Sequence, residues 1–230
     1  MGLLDFLKNK GSKNSGTPMY LYTEKELSEY EAYVEKSLGQ YDQVFHELAS
    51  PDIHLDVIMI PPTEENPFYK LVTMGAGACK MNIPAPLKNF GLEYAEYVIF
   101  LPAEWNLESS DEKDYWPIRD LKNTARLPLY TDSWLGYGHT LQANEDGSPY
   151  AENTGFTATM LANAVSIDGS QMSLSLSSGK KICFYLLIPI YPEELEYKMA
   201  NDADALLDLL LAIPGFPVTD IHRWNAVTDR

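Results

Sequence analysis

Two prolines and two glycines leave the stretch from Trp116 to Thr140 fewer ways to fold than any other part of this sequence. Pro117 suits the first turn of a helix, where its missing N–H costs nothing. Pro128 predicts the end of that helix, because the residue before a proline is pushed out of the α region. Between them Ile118, Leu121 and Ala125 form an apolar stripe, and Arg119, Lys122 and Arg126 form a basic one. A turn is expected at Thr131, Asp132 and Ser133. It leads into Trp134-Leu135-Gly136-Tyr137-Gly138-His139, where each glycine lets the backbone bend or approach another surface.

The remaining chain predicts an α+β fold, a central mixed β-sheet flanked by helices, without internal repeats. Thr23 with Glu26 forms a capping box for a helix carrying Leu27, Tyr30, Val34 and Leu38 on one face and ending at Gly39. Strands are expected at 44–48, 53–60, 69–74 and 94–101, with a turn at Ser50-Pro51-Asp52. Two more, at 156–167 and 172–176, should form a hairpin about Asp168-Gly169. Ile182 to Ile190 is almost continuously apolar, as in a strand buried on both faces. Acid-headed helices follow, from Pro192 to about Asn201 and from Ala203 to Ala212, and Trp224 suggests a partly anchored tail. Residues 1–18 are expected to be a flexible extension, with Leu3, Leu4, Phe6 and Leu7 preceding a Gly/Ser-rich linker, and residues 19–230 to be one domain.

Charge narrows the function. The 33 acidic against 17 basic residues give a formal net charge of -16. Such a surface repels phosphate backbones and argues against nucleic acid, whereas it draws in a basic protein. Simple solubility is the plainer reading of the same number. Cys79 and Cys183 form neither a disulfide framework nor a ligand set, and reduced cytoplasmic thiols are expected. The apolar runs are too short to span a membrane, and Asp5 argues against a secretory signal.

A search for chemistry finds little. His46, His54, His139 and His222 lack metal-ligand spacing, so neither metal nor cofactor is expected. Gly75-Ala76-Gly77 lacks the remainder of a phosphate loop and reads as a tight bend beside the sheet. His54 and Asp56 lie two apart and could pair as base and orienter, although a structural role for Asp56 is the simpler reading. His139 is the best single catalytic candidate, and a hydrogen bond to a loop carbonyl or a partner is its plainer use. Trp116 reads as core. Trp134 and Tyr137 read equally as core or as interface anchors. The basic stripe, Arg126 included, is either paired within the chain or a site for an acidic segment.

Several of these motifs resemble the suppressor-of-fused family in its bacterial form. They are Trp116-Pro117-Ile118, Ala125-Arg126 and Trp134 to Thr140, preceded by Ile53 to Val57, Leu71 to Gly75 and Met81-Asn82-Ile83-Pro84. Asn153-Thr154-Gly155-Phe156 and Ile188 to Glu194 follow in the same order. The resemblance implies the fold of that family's amino-terminal lobe and a binding role without catalysis, since its members are not known as enzymes. The animal form inhibits a transcription factor by binding a peptide of it between two lobes, and this chain is too short for both. Where the animal motif carries an acidic residue before the histidine, Gly138 precedes His139, which argues against the same peptide. Bacterial relatives are often encoded beside toxins, so the resemblance points to an immunity protein covering a toxin domain, which the acidity suggests is basic. Trp134, Tyr137, His139, Arg126 and Asp56 are the expected partner-binding residues. The alternatives are a hydrolase or small-ligand enzyme with its site around His139, to which His54 and Asp56 could add, and a scaffold recruited through Leu3 to Leu7.

Overall fold

The computed structural model describes residues 20–47 and 52–229; the expected amino-terminal extension and most of the Ser50-Pro51-Asp52 turn lie outside them. The chain runs α1 (Glu24–Leu38), β1 (Gln43–Phe45), β2 (Asp56–Ile60), β3 (Phe68–Met74), β4 (Tyr94–Pro102), α2 (Glu112–Thr131) and β5 (Thr140–Gln142). It continues through β6 (Ala158–Asn163), β7 (Ser173–Ser175), β8 (Lys181–Ile190), α3 (Pro192–Ala200) and α4 (Ala203–Leu210). The strands form a mixed sheet in the order β1-β2-β3-β4-β8-β6-β5, with β7 also on β8. The β4–β8 pair is parallel and the other pairs are antiparallel. The expected α+β architecture is therefore the observed one.

Both faces of this sheet are covered, which explains its nearly uninterrupted apolar strands. Ile182, Phe184, Leu186, Ile188 and Ile190 of β8 pack on one face with Leu27, Tyr30, Val34 and Leu38 of α1 and Leu206 and Leu210 of α4. Tyr185 and Leu187 turn to the other face, where Ile118, Leu121 and Ala125 of α2 meet Tyr97, Ile99 and Leu101 of β4. The capping box at Thr23 and Glu26 forms as expected, and Gly39 ends α1.

Three expectations need correction. First, the prolines of α2 do not bound it: Asp111 caps the helix by accepting from Lys113 N at 3.1 Å, and Pro117 and Pro128 both lie inside. A proline at position 117 deprives the Lys113 carbonyl of its i+4 donor. The Asn153 amide supplies the replacement at 3.0 Å from a distant loop, which sequence spacing cannot show. Asp132, at φ 47°, then ends the helix, its N–H donating to the Pro128 carbonyl.

Second, the hairpin expected about Asp168-Gly169 forms only at its tip, where Ser166 N donates to Ser170 O at 2.9 Å and Met172 N to Ala164 O at 2.8 Å, and β6 and β7 themselves are not paired. A bridge joins Val165 to Gln171, but both strands pair with β8, β6 over Tyr185–Ile190 and β7 over Lys181–Cys183. The segment between them is an excursion, after which the chain rejoins the same edge of β8.

Third, the tail is held by Arg223 rather than Trp224, which stays exposed. Arg223 Nη1 and Nη2 donate to Glu194 Oε1 and Oε2 at 2.6 and 2.5 Å, and its guanidinium lies 4.8 Å from the centroids of both Phe156 and Tyr191. Ala226 N and Tyr191 N donate to the same carboxylate at 2.8 and 2.9 Å.

Two further buried carboxylates knit the sheet to its surroundings. Glu96 accepts from Tyr22 Oη, Thr73 Oγ1, Gly75 N and Gly77 N at 2.7, 2.5, 3.0 and 2.9 Å, so the glycine bend serves as a donor cradle rather than a ligand loop. A Cβ on Gly75 would lie 2.0 Å from the His54 carbonyl oxygen, which excludes any side chain there. Burial pushes Glu96 up to about 7 against these donors. Asp120 has a poorer set, chiefly Thr159 Oγ1 at 2.8 Å, and burial holds it at about 6.

Glu194→Gln leaves the buried guanidinium without its counter-charge and should cost about 3–5 kcal/mol, lowering the calorimetric melting temperature by roughly 10 °C. Asp120 retains its proton in the folded state to higher pH than in the unfolded chain. Its contribution is therefore complete below the ordinary aspartate range and lost as pH rises through about 6. Melting curves of wild type and Asp120→Asn between pH 4 and 7 should show the wild type losing ground to the variant as pH rises; parallel curves would contradict this.

Candidate functional site

The loop Ser133–His139 is the site's framework, and backbone hydrogen bonds lock both ends. Asn82 N donates to Ser133 O at 3.0 Å, Gly138 N to Leu161 O at 2.8 Å and Leu161 N to His139 O at 2.9 Å. The indole of Trp134 folds over Gly136, where an added Cβ would lie 2.6 Å from Cζ3, and its ring centroid is 4.5 Å from that of His139. Gly138 has φ +77°, and its Cα faces Ala203 so closely that a Cβ would lie 3.1 Å from that methyl group. The loop thus rests on the start of α4.

Together they enclose an open depression of about 440 Å³ lined by Tyr137, His139, Lys198, Met199, Asp202 and Asp204. The Tyr137 hydroxyl donates to Asp204 Oδ1 while its ring remains exposed, and burial together with that carboxylate holds the phenol up at about 12. Met199 is 68% exposed, an unusual position for a thioether. His139 is half-buried; burial and Lys198 hold its pKa below the ordinary value, against a hydrogen bond to the Trp134 backbone.

The expected site residues separate into two groups. Trp134, Tyr137 and His139 meet at the depression. Arg126 and Asp56 meet at the other side of the sheet, linked through Glu47: Arg126 pairs with Glu47 and with Asp52 Oδ1 at 3.4 Å, and Glu47 N donates to Asp56 Oδ1 at 3.0 Å. Asp56 is fully enclosed and also holds His46 Nδ1 at 3.1 Å and His54 Nε2 at 3.4 Å. A partner cannot reach it, so its role is to close the β1–β2 connection. The basic stripe is paired within the chain as well, with Arg119 on Glu112 and on the Tyr150 carbonyl.

His54 and Asp56 do pair, but not with His139. They lie beside β2 and His139 lies beside β5, five strand steps apart in the sheet order, roughly 24 Å at about 4.8 Å per step. His54 and Asp56 therefore do not join His139 in one site, and only His139 lies at the depression. Among the described residues no group of three His, Cys, Asp or Glu side chains is placed to hold a metal ion. No described helix is long and apolar enough to cross a membrane. Trp116 is core, stacked on Tyr150 at 4.7 Å and fully buried. Asp202, Asp204 and Met199 escaped sequence reasoning, because acids heading a helix read equally as dipole partners.

Gly138→Val should cost about 1–2 kcal/mol from the positive φ alone and lift the loop off Ala203. Tryptophan emission should shift to longer wavelength as Trp134 is exposed.

The chain also compares with known proteins. The model of the Suppressor of fused protein (SUFU) family matches residues 51–224. A SUFU homolog from Neisseria gonorrhoeae FA 1090, solved by crystallography, superposes with a TM-score of 0.61 at 18% identity, covering 89% of this chain and 98% of that one. A chain from the Sufu-Fu complex crystal structure gives a TM-score of 0.64 at 12% identity over 88% and 92% of the two chains. Drosophila Suppressor of Fused gives 0.52 at 12% identity, where 75% of this chain covers 42% of that one. No curated protein matches in sequence. At these identities the structures attest the fold, while the family model, spanning most of the chain, attests the lineage: this protein belongs to the suppressor-of-fused family.

Proposed function

We propose that this chain is a non-catalytic protein-binding domain, formed by residues 19–230 and working in the cytoplasm, that acts as an immunity protein by covering a basic toxin domain. The observation that carries the reading is the depression at the Ser133–His139 loop. It presents an exposed ring, an exposed thioether and two carboxylates on a chain of net charge -16. Aromatic and Met side chains anchor protein interfaces, while excess charge of one sign accelerates encounter with a partner of the other. Membership of the suppressor-of-fused family supports a protein partner, as does the Sufu-Fu complex for the relative it contains. His139 acts here as part of the contact surface, its ring engaged by that of Trp134.

The test is co-expression with the basic toxin domain encoded in the adjacent reading frame. Growth should be rescued and the two chains should co-purify; neither rescue nor complex would reject the proposal. Tyr137→Ala should weaken the complex about tenfold to thirtyfold with little change in melting temperature. Asp204→Lys should slow association and reduce its salt dependence.

A further inference from the structure

A second depression, of about 300 Å³, lies at the other end of the same loop, where Asn82 meets Ser133. Lys80 and Lys88 wall it, buried Met81 and Ile83 form its floor, and Glu93 stands on its rim. Its charge is out of keeping with the chain. Acids outnumber bases 33 to 17, yet no Asp or Glu occurs anywhere from Asn66 to Leu92, a stretch that contains Lys70, Lys80 and Lys88. Lys80 and Lys88 are exposed and neither bonds a carboxylate among the described residues. Two residues after Lys88 and outside the lining, Phe90 is 62% exposed, and the Lys181 ammonium lies 3.5 Å from the Phe90 carbonyl.

Lysines without carboxylate partners over an apolar floor suit a ligand that is anionic and apolar at neighbouring positions. A free inorganic anion would use the lysines and leave the floor unused. An extended acidic segment of a protein would use both, its carboxylates on Lys80 and Lys88 and an intervening apolar side chain on Met81 and Ile83. We infer that this depression anchors an acidic segment of the bound protein. The Ser133–His139 loop then lies between a basic anchor and an acidic one, and the pair of opposite charges orients a partner that the net charge alone would only attract. This inference rests on the protein-binding reading above.

The test uses methyl-labelled full-length protein and a synthetic peptide of alternating Asp and Phe, with inorganic phosphate as the control ligand. Saturable shifts of the Met81 and Ile83 methyl signals are expected with the peptide. They should be at least about tenfold weaker in the exposed-surface variant Lys80→Glu/Lys88→Glu, whose melting temperature should stay that of wild type. Absence of shifts in the wild type, equal shifts in the variant, or equal shifts with phosphate alone would overturn the anchor. Toxin capture that survives the double substitution undiminished would overturn it too while leaving the binding reading intact; loss of capture by the wild type would remove that reading itself.

Discussion

The parallel pairing of β4 with β8 is the constraint on which the rest of this molecule depends. Parallel neighbours cannot be joined by a tight turn, so the chain must leave one end of the sheet and return to the other. Here the return path contains α2, the Ser133–His139 loop, β5, β6 and β7. The loop is therefore a product of the crossover. It passes from the end of a helix packed on one face to an edge strand, and at that edge it meets α4, which belongs to the other face.

Buried carboxylates hold this path in place. Asp56, Glu96, Asp120 and Glu194 are all buried; Glu96, Asp120 and Glu194 bind donors from segments remote in sequence, and Asp56 gathers those of the neighbouring β1–β2 connection. Each gathers backbone N–H groups, hydroxyls or a guanidinium that would otherwise be left without partners in the interior. The acidity of the composition is thus of two kinds. Some acids make the exterior electronegative, and others are internal fasteners that no partner ever meets.

The motifs that carry the family resemblance turn out to be largely architectural. Asn153 completes the proline-interrupted helix, Gly155 lies where a Cβ would come within 2.8 Å of the Tyr191 ring, and Glu194 clamps the tail. Asn82 ties the Met81–Pro84 segment to the turn after α2. These residues preserve a shape, which explains why they reveal lineage more readily than they reveal a partner.

The sequence by itself determined the element types, the two-sided burial of β8, the capping of α1, the burial of Trp116 and the placing of Trp134, Tyr137 and His139 on one loop. Each follows from periodicity or from local backbone chemistry, which act over a few residues. Only the tertiary structure decided that Asp56 and Arg126 belong to the opposite side of the sheet, that two prolines sit within one helix, and that Arg223 anchors the tail. It also decided that Asp202, Asp204 and Met199 face Tyr137. Those outcomes depend on pairings between segments tens of residues apart, where the free energy of a contact is set by which surfaces the sheet order brings together, and no local pattern records that order.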